Sequence, residues 1–171
     1  AAGQRALEHY WTQFSTLGWV GVDLDCAGAQ DSGSSYALAR ALTEQHRQGG
    51  GEQALDRLAH VLHYAFTYRF GHNTRHRNPV CEWSSSGSKV TSTHNAHLDA
   101  YGAMLLEDVV YYLRHRRDDY FASRLQDSLA WARQAYNRTE AEYGWGRVGF
   151  ATEQYYHTYD AYHYSEADGT V

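Results

Sequence analysis

Apolar residues recur along this chain at the three-to-four-residue spacing of helix faces, interrupted by stretches rich in glycine, serine and aspartate. Over 4–14, Leu7, Tyr10, Trp11 and Phe14 share one face of a short predicted helix. The stretch 15–35 reads as loop, with a brief extended piece at Trp19-Val20-Gly21-Val22. Asp31 or Ser32 caps the next predicted helix, Tyr36 to Gln48, which Gly49-Gly50-Gly51 stops. From Glu52 to Phe70 the stripe Leu55, Leu58, Leu62, Ala65, Phe66 and Phe70 predicts a second helix, closed by Gly71. A loop from His72 to His94 carries Pro79, the only proline.

The third major helix, about Ala96 to Arg114, places Leu98, Tyr101, Leu105, Val109 and Tyr112 along one stripe. Gly102, Leu106, Val110 and Leu113 lie beside it, and so little polar surface predicts burial on nearly every side. Asp118 is a cap for a last helix running to about Tyr143, with Phe121, Leu125, Leu129, Ala132 and Tyr136 inward, and Gly144 ends it. The tail, WGRVGFATEQYYHTYDAYHYSEADGTV, is aromatic and polar without periodicity and reads as loop or short strand.

Two stretches are alike in kind, DSGSSYALARALTEQ near Asp31 and TSTHNAHLDAYGAMLLED near Ser92. Each is a Ser-rich loop opening a helix rich in small residues, followed by an amphipathic helix facing back. The expected fold class is therefore all-α: antiparallel α/α hairpins in one helical domain over 1–171, forming part of an (α/α) toroid. Such hairpins need neighbours, so further hairpins of a longer chain are expected as partners. The length suits one domain with a real core.

Charge narrows the function classes. A net charge of −5 with scattered arginines argues against a nucleic-acid-binding surface, which would need a clustered basic face. No stretch approaches a membrane span of about 20 apolar residues. The start, AAGQRALEHYW, is helix-like rather than a signal peptide and lacks an initiating Met, so processing or excision from something longer is expected. Cys26 and Cys81 leave a disulfide and two buried thiols equally open, with an exported or periplasmic location slightly preferred over a cytoplasmic one. Asn137-Arg138-Thr139 fits the glycosylation pattern but falls inside a predicted helix, so chance explains it better.

The densest group of chemically capable side chains spans His94-Asn95-Ala96-His97-Leu98-Asp99-Ala100-Tyr101, where a polar loop opens the third helix. With a helix start near Asn95, His94 and His97 lie about one turn apart and point to one side. A histidine there serves as base or acid near neutral pH, and Tyr101 relays a proton to a sugar oxygen. Fifteen tyrosines and five tryptophans suit stacking on sugars. Trp83, Trp145 and the tail residues Tyr156, His157, Tyr159, Asp160 and His163 are candidates to line a cleft.

The pattern of paired helices, the inner one rich in small residues and preceded by an aromatic, polar loop, resembles the (α/α) toroid enzymes that act on carbohydrates. These include six-hairpin glycoside hydrolases, toroid polysaccharide lyases and sugar 2-epimerases. Trp83 to Tyr101 and Tyr155 to His163, under a third of the chain, carry the resemblance. Asn95-Ala96-His97-Leu98 is similar to a His-Leu segment of the sugar epimerases, with the acid that should follow displaced here. The resemblance implies an active site at the mouth, where inner helices begin.

Two chemistries follow. Elimination needs a base beside a uronate carboxylate, with Asn95 and Arg75 or Arg77 neutralising that carboxylate. Hydrolysis needs two carboxylates across the scissile bond. Among Asp23, Asp25, Asp31, Glu82, Asp99 and Asp160, the pair Asp31 and Asp99 occupies similar places in the two hairpins. The rival is a non-catalytic helical repeat scaffold or glycan-binding module. Histidine pairs suit a metal weakly: His60 with His63, His72 with His76, and His157 with His163 around Asp160. Asp23-Leu24-Asp25 with Asp31 lacks the alternation and closing Glu of a calcium loop. No metal or cofactor is assigned.

Overall fold

The computed structural model describes residues 2–18, 32–73, 85–90, 97–133, 136–140, 147–149 and 154–156, with only the backbone of 97–100 and 154–156. Five α-helices and one two-stranded ribbon lie among them. The helices are α1 (Ala2–Leu17), α2 (Ser32–Arg47), α3 (Gly51–Phe66), α4 (Leu106–His115) and α5 (Asp119–Ala132). The ribbon joins β1 (His97–Asp99) to β2 (Gln154–Tyr156), and a 3-10 segment, Ala100–Leu105, links β1 to α4. The described part is thus mostly helical, as the sequence pattern predicts.

Helices α2 and α3 form a hairpin across the triple glycine. Gly49 and Gly51 have φ of +92° and +62°, and a Cβ on Gly50 would fall 2.8 Å from Gln45. Left-handed backbone on either side of a close approach is a turn that glycine makes without strain. The core centres on this hairpin, where Ala39, Leu42, Leu58, Val61, Leu62 and Ala65 are fully buried. Leu7 and Phe14 of α1 close one side, and Leu105 of the 3-10 segment with Val109 and Tyr112 of α4 and Phe121 of α5 close another.

Three predicted elements differ. Helix α3 ends at Phe66 rather than Phe70, because Arg69 leaves the helix to pair with Lys89 in an isolated antiparallel bridge. The third major helix begins at Leu106, with the ribbon and the 3-10 segment occupying its predicted first two turns. It is not buried all round: Tyr101 and Met104 are exposed, and Val110, Tyr111 and Leu113 only half-buried. Helix α5 starts as predicted, Asp118 accepting a hydrogen bond from the Phe121 N–H at 3.0 Å, but it stops at Ala132.

The inward face of α5 also differs from the apolar stripe. Phe121, Ser128 and Trp131 are buried, whereas Leu129 is exposed and Tyr136 lies exposed beyond the helix end. Backbone contact decides this. Gly87, at φ +85°, sits so close that a Cβ there would fall 2.2 Å from the Asp127 carbonyl oxygen. A serine fits where a leucine would not. Asn137 is buried, its side-chain N–H donating to the Arg147 carbonyl at 3.3 Å, so it is no glycosylation acceptor in this fold. No helix among the described residues is long and apolar enough to cross a membrane.

Candidate functional site

The ribbon connects the two segments that the sequence marks for chemistry. His97 stands opposite Tyr156, Leu98 opposite Tyr155 and Asp99 opposite Gln154. Strand alternation assigns His97, Asp99, Gln154 and Tyr156 to one face by register, and Leu98 and Tyr155 to the other. Three of the candidates, His97, Asp99 and Tyr156, are therefore neighbours in register although they lie far apart in sequence. Tyr101 follows at the head of the 3-10 segment and is 52% exposed. The expectation that His97 lies one helical turn from His94 is corrected: His97 is in a strand. Here β2 supplies a backbone partner that the local helical pattern cannot anticipate. Asp31, Trp83, His94, Asn95, Trp145, His157, Tyr159, Asp160 and His163 lie outside the described residues.

Next to the ribbon's exit lies a pair of cations. Backbone bonds between Tyr68–Phe70 and Gly87–Val90 hold Arg69 across from Lys89: Gly87 N–H donates to the Phe70 carbonyl at 2.8 Å, Val90 N–H to the Tyr68 carbonyl at 2.9 Å. Arg69 then reaches four separate segments. One terminal nitrogen donates to the Gly87 carbonyl and to Ser128 Oγ, both at 3.0 Å. The other donates to Tyr36 Oη at 3.4 Å and to the Gly102 carbonyl. Its guanidinium lies 5.0 Å from the Phe66 ring centre. Every one of these acceptors is neutral, so among the described residues the charge is stabilised by oriented dipoles rather than by a carboxylate.

Lys89, the only lysine in the chain, is 2% exposed, with Nζ 4.9 Å from the Tyr36 ring centre. A Cβ on Gly102 would fall 3.0 Å from the Lys89 Cβ, so the 3-10 segment rests on the lysine stem. The 3-10 segment that precedes α4 is thus packed on the Arg69–Lys89 bridge that follows α3. Sequence reasoning missed Arg69, Lys89 and Tyr36. The solitary lysine is a signal, but its pairing with Arg69 depends on a bridge across 19 intervening residues.

A buried carboxylate lies deeper between α2 and α4. Asp108, 2% exposed, meets Arg40 Nε at 3.1 Å, and Arg40 also pairs with Glu107 at 2.9 Å. Burial raises the Asp108 pKa above the ordinary carboxylate value, against the lowering effects of Thr43 and Arg40. The predicted histidine pair of α3 does not converge on a common partner among the described residues. His63 stacks on Tyr120 and Phe121, and His60 lies edge-on to Trp11. Among the described residues no three His, Cys, Asp or Glu side chains gather as a metal site. His76, His157, His163, Asp23, Asp25, Glu82, Arg75, Arg77 and both cysteines lie outside the described residues.

Comparison with protein-family models, with characterised proteins and with solved structures finds no match for this chain.

Proposed function

We propose that this chain is a helical domain of a carbohydrate-active enzyme that cleaves glycosidic bonds of a poly- or oligosaccharide, with the ribbon at its catalytic centre. The pairing of His97–Asp99 with Gln154–Tyr156 is the observation that carries this reading. It supports a single site built from the histidine-rich segment and the aromatic tail. The reading includes the toroid: α2–α3 and α4–α5 are two hairpins of its repeating kind. An apolar groove of about 490 Å³ between α1 and α2, lined by Leu7, Tyr10, Ala37, Leu38 and Ala41, is the sort of surface a neighbouring hairpin covers.

Elimination is the version that the surroundings favour over hydrolysis. A base takes the proton from the carbon beside a uronate carboxylate. The bond from the next carbon to the glycosidic oxygen breaks, an acid protonates that oxygen, and a carbon–carbon double bond remains. His97 is assigned the base and Tyr101 the acid. Arg69 and Lys89, beside the ribbon's exit, supply positive potential in a site that develops carboxylate-centred negative charge. The test is incubation of the chain with uronate-containing and neutral polysaccharides, reading reducing ends and double-bond absorbance together. Both signals on uronates support elimination. Reducing ends alone mean hydrolysis, and silence from a folded chain means a scaffold or glycan-binding module.

A further inference from the structure

The last turns of α2 and α4 bring together three rings that the sugar chemistry does not use. His46 Nδ1 and Tyr111 Oη are hydrogen-bonded at 2.7 Å. The His115 ring centre lies 4.8 Å from that of His46 and 4.7 Å from that of Tyr111. A metal–nitrogen distance of about 2.0–2.1 Å puts a ligating imidazole centre about 3 Å from the ion, so two rings bound at a right angle have centres roughly 4.5 Å apart. Among the described residues, this pair of histidines from different helices has that spacing, whereas the two histidines of α3 contact separate rings, His60 that of Trp11 and His63 those of Tyr120 and Phe121.

We propose that His46 and His115 form a two-histidine site for a divalent transition ion of the copper or nickel type. Two further features agree. Tyr111 engages Nδ1 of His46, which leaves Nε2 as the ligating atom and fixes the ring, as an outer partner does for a metal-bound histidine. Both histidines stand in the last turn of their helices, where the carbonyl ends favour positive charge.

The donor set selects the ion. Two neutral imidazoles and water suit copper or nickel, not calcium or magnesium, and fall short of the four ligands of structural zinc. Cations oppose binding and keep it modest. Arg47 lies 4.7 Å from the Tyr111 ring centre and is partly answered by Glu44 and by Glu107 at 3.8 Å. Arg114 stands beside His115 in the last turn of α4.

The test is titration of the untagged full chain with Cu2+ alone and Ni2+ alone, followed by calorimetry, with nitrogen hyperfine coupling read on the copper form. His115→Gln is an exposed change that leaves the fold intact, and it should weaken one equivalent by about tenfold or more. His46→Gln with His115→Gln should remove that equivalent and its two-nitrogen signature, while His60→Gln changes neither. An equivalent that survives the double change with unaltered affinity overturns the proposal. So does a folded parent chain that shows no saturable equivalent.

Discussion

His97 stands directly opposite Tyr156 in an antiparallel ribbon of three residue pairs. That relationship ties the segment before α4 to the aromatic tail, and it brings two separate sequence signals side by side. A two-stranded ribbon this short has little stability of its own. Its position is fixed through the 3-10 segment, which Arg69 and Lys89 hold from the other side.

Breaking the ribbon should therefore cost activity without costing the fold. Tyr155→Pro removes a backbone donor and restricts the residue before it. The described core is built from the helices and the 3-10 segment, so far-ultraviolet circular dichroism should be unchanged while turnover of the polysaccharide falls at least about tenfold. A parallel loss of helical signal would mean that the ribbon supports the core instead.

Arg69 has the opposite character. Its guanidinium satisfies acceptors on α2, α5, the 3-10 segment and the Gly87 turn at once. Arg69→Met leaves several partly buried acceptors without a donor, at about 1–3 kcal/mol each, so urea denaturation should show a loss of at least about 3 kcal/mol. Arg69→Lys should recover little of this, because one ammonium cannot reproduce the planar fork.

How much of this was legible in the sequence follows from what each feature depends on. The stripe Leu55, Leu58, Leu62, Ala65 and Phe66, the triple-glycine stop and the Asp118 cap are local, and all of them stand in the fold. Arg69, Ser128 and His97 are different, because each takes its place from a distant backbone. Ser128 is buried by the approach of Gly87, Arg69 is drawn out of helix by Lys89, and His97 is drawn into a strand by Tyr156. Helical periodicity carries no trace of these partners. His46 and His115 were missed for the same reason, since spacing along one helix says nothing about pairs formed between two.

The Gly87 turn gives a sharp packing test. Alanine at that position meets both a left-handed φ of +85° and the Asp127 carbonyl at 2.2 Å. Gly87→Ala should destabilise the fold by about 2 kcal/mol or more, read from the thermal or urea midpoint. Gly149 has a similar φ of +84°, but a Cβ there would meet no atom of the described residues within 4 Å. Gly149→Ala should cost about 1–2 kcal/mol, the backbone strain alone.

Asp108 predicts a pH dependence of unusual sign. Burial raises its folded-state pKa above the unfolded value, so the folded chain holds this proton more tightly than the unfolded chain does. Its contribution is most favourable below the unfolded value near 3.8 and declines as pH rises through the folded pKa. Asp108→Asn removes the ionisation while keeping the shape, and Arg40 retains Glu107. The stability of the variant relative to the parent should therefore rise between pH 3.5 and neutral pH, measured by urea unfolding across about that range. A relative stability that falls with pH would show that the Arg40 pair outweighs burial.

The most direct test of the catalytic assignment compares the parent chain with His97→Ala on a uronate polysaccharide, following the absorbance of the newly formed double bond. Loss of that signal in a variant with unchanged circular dichroism and thermal midpoint is the predicted result. Undiminished double-bond formation by the variant would contradict it, and would remove His97 and its ribbon from the chemistry.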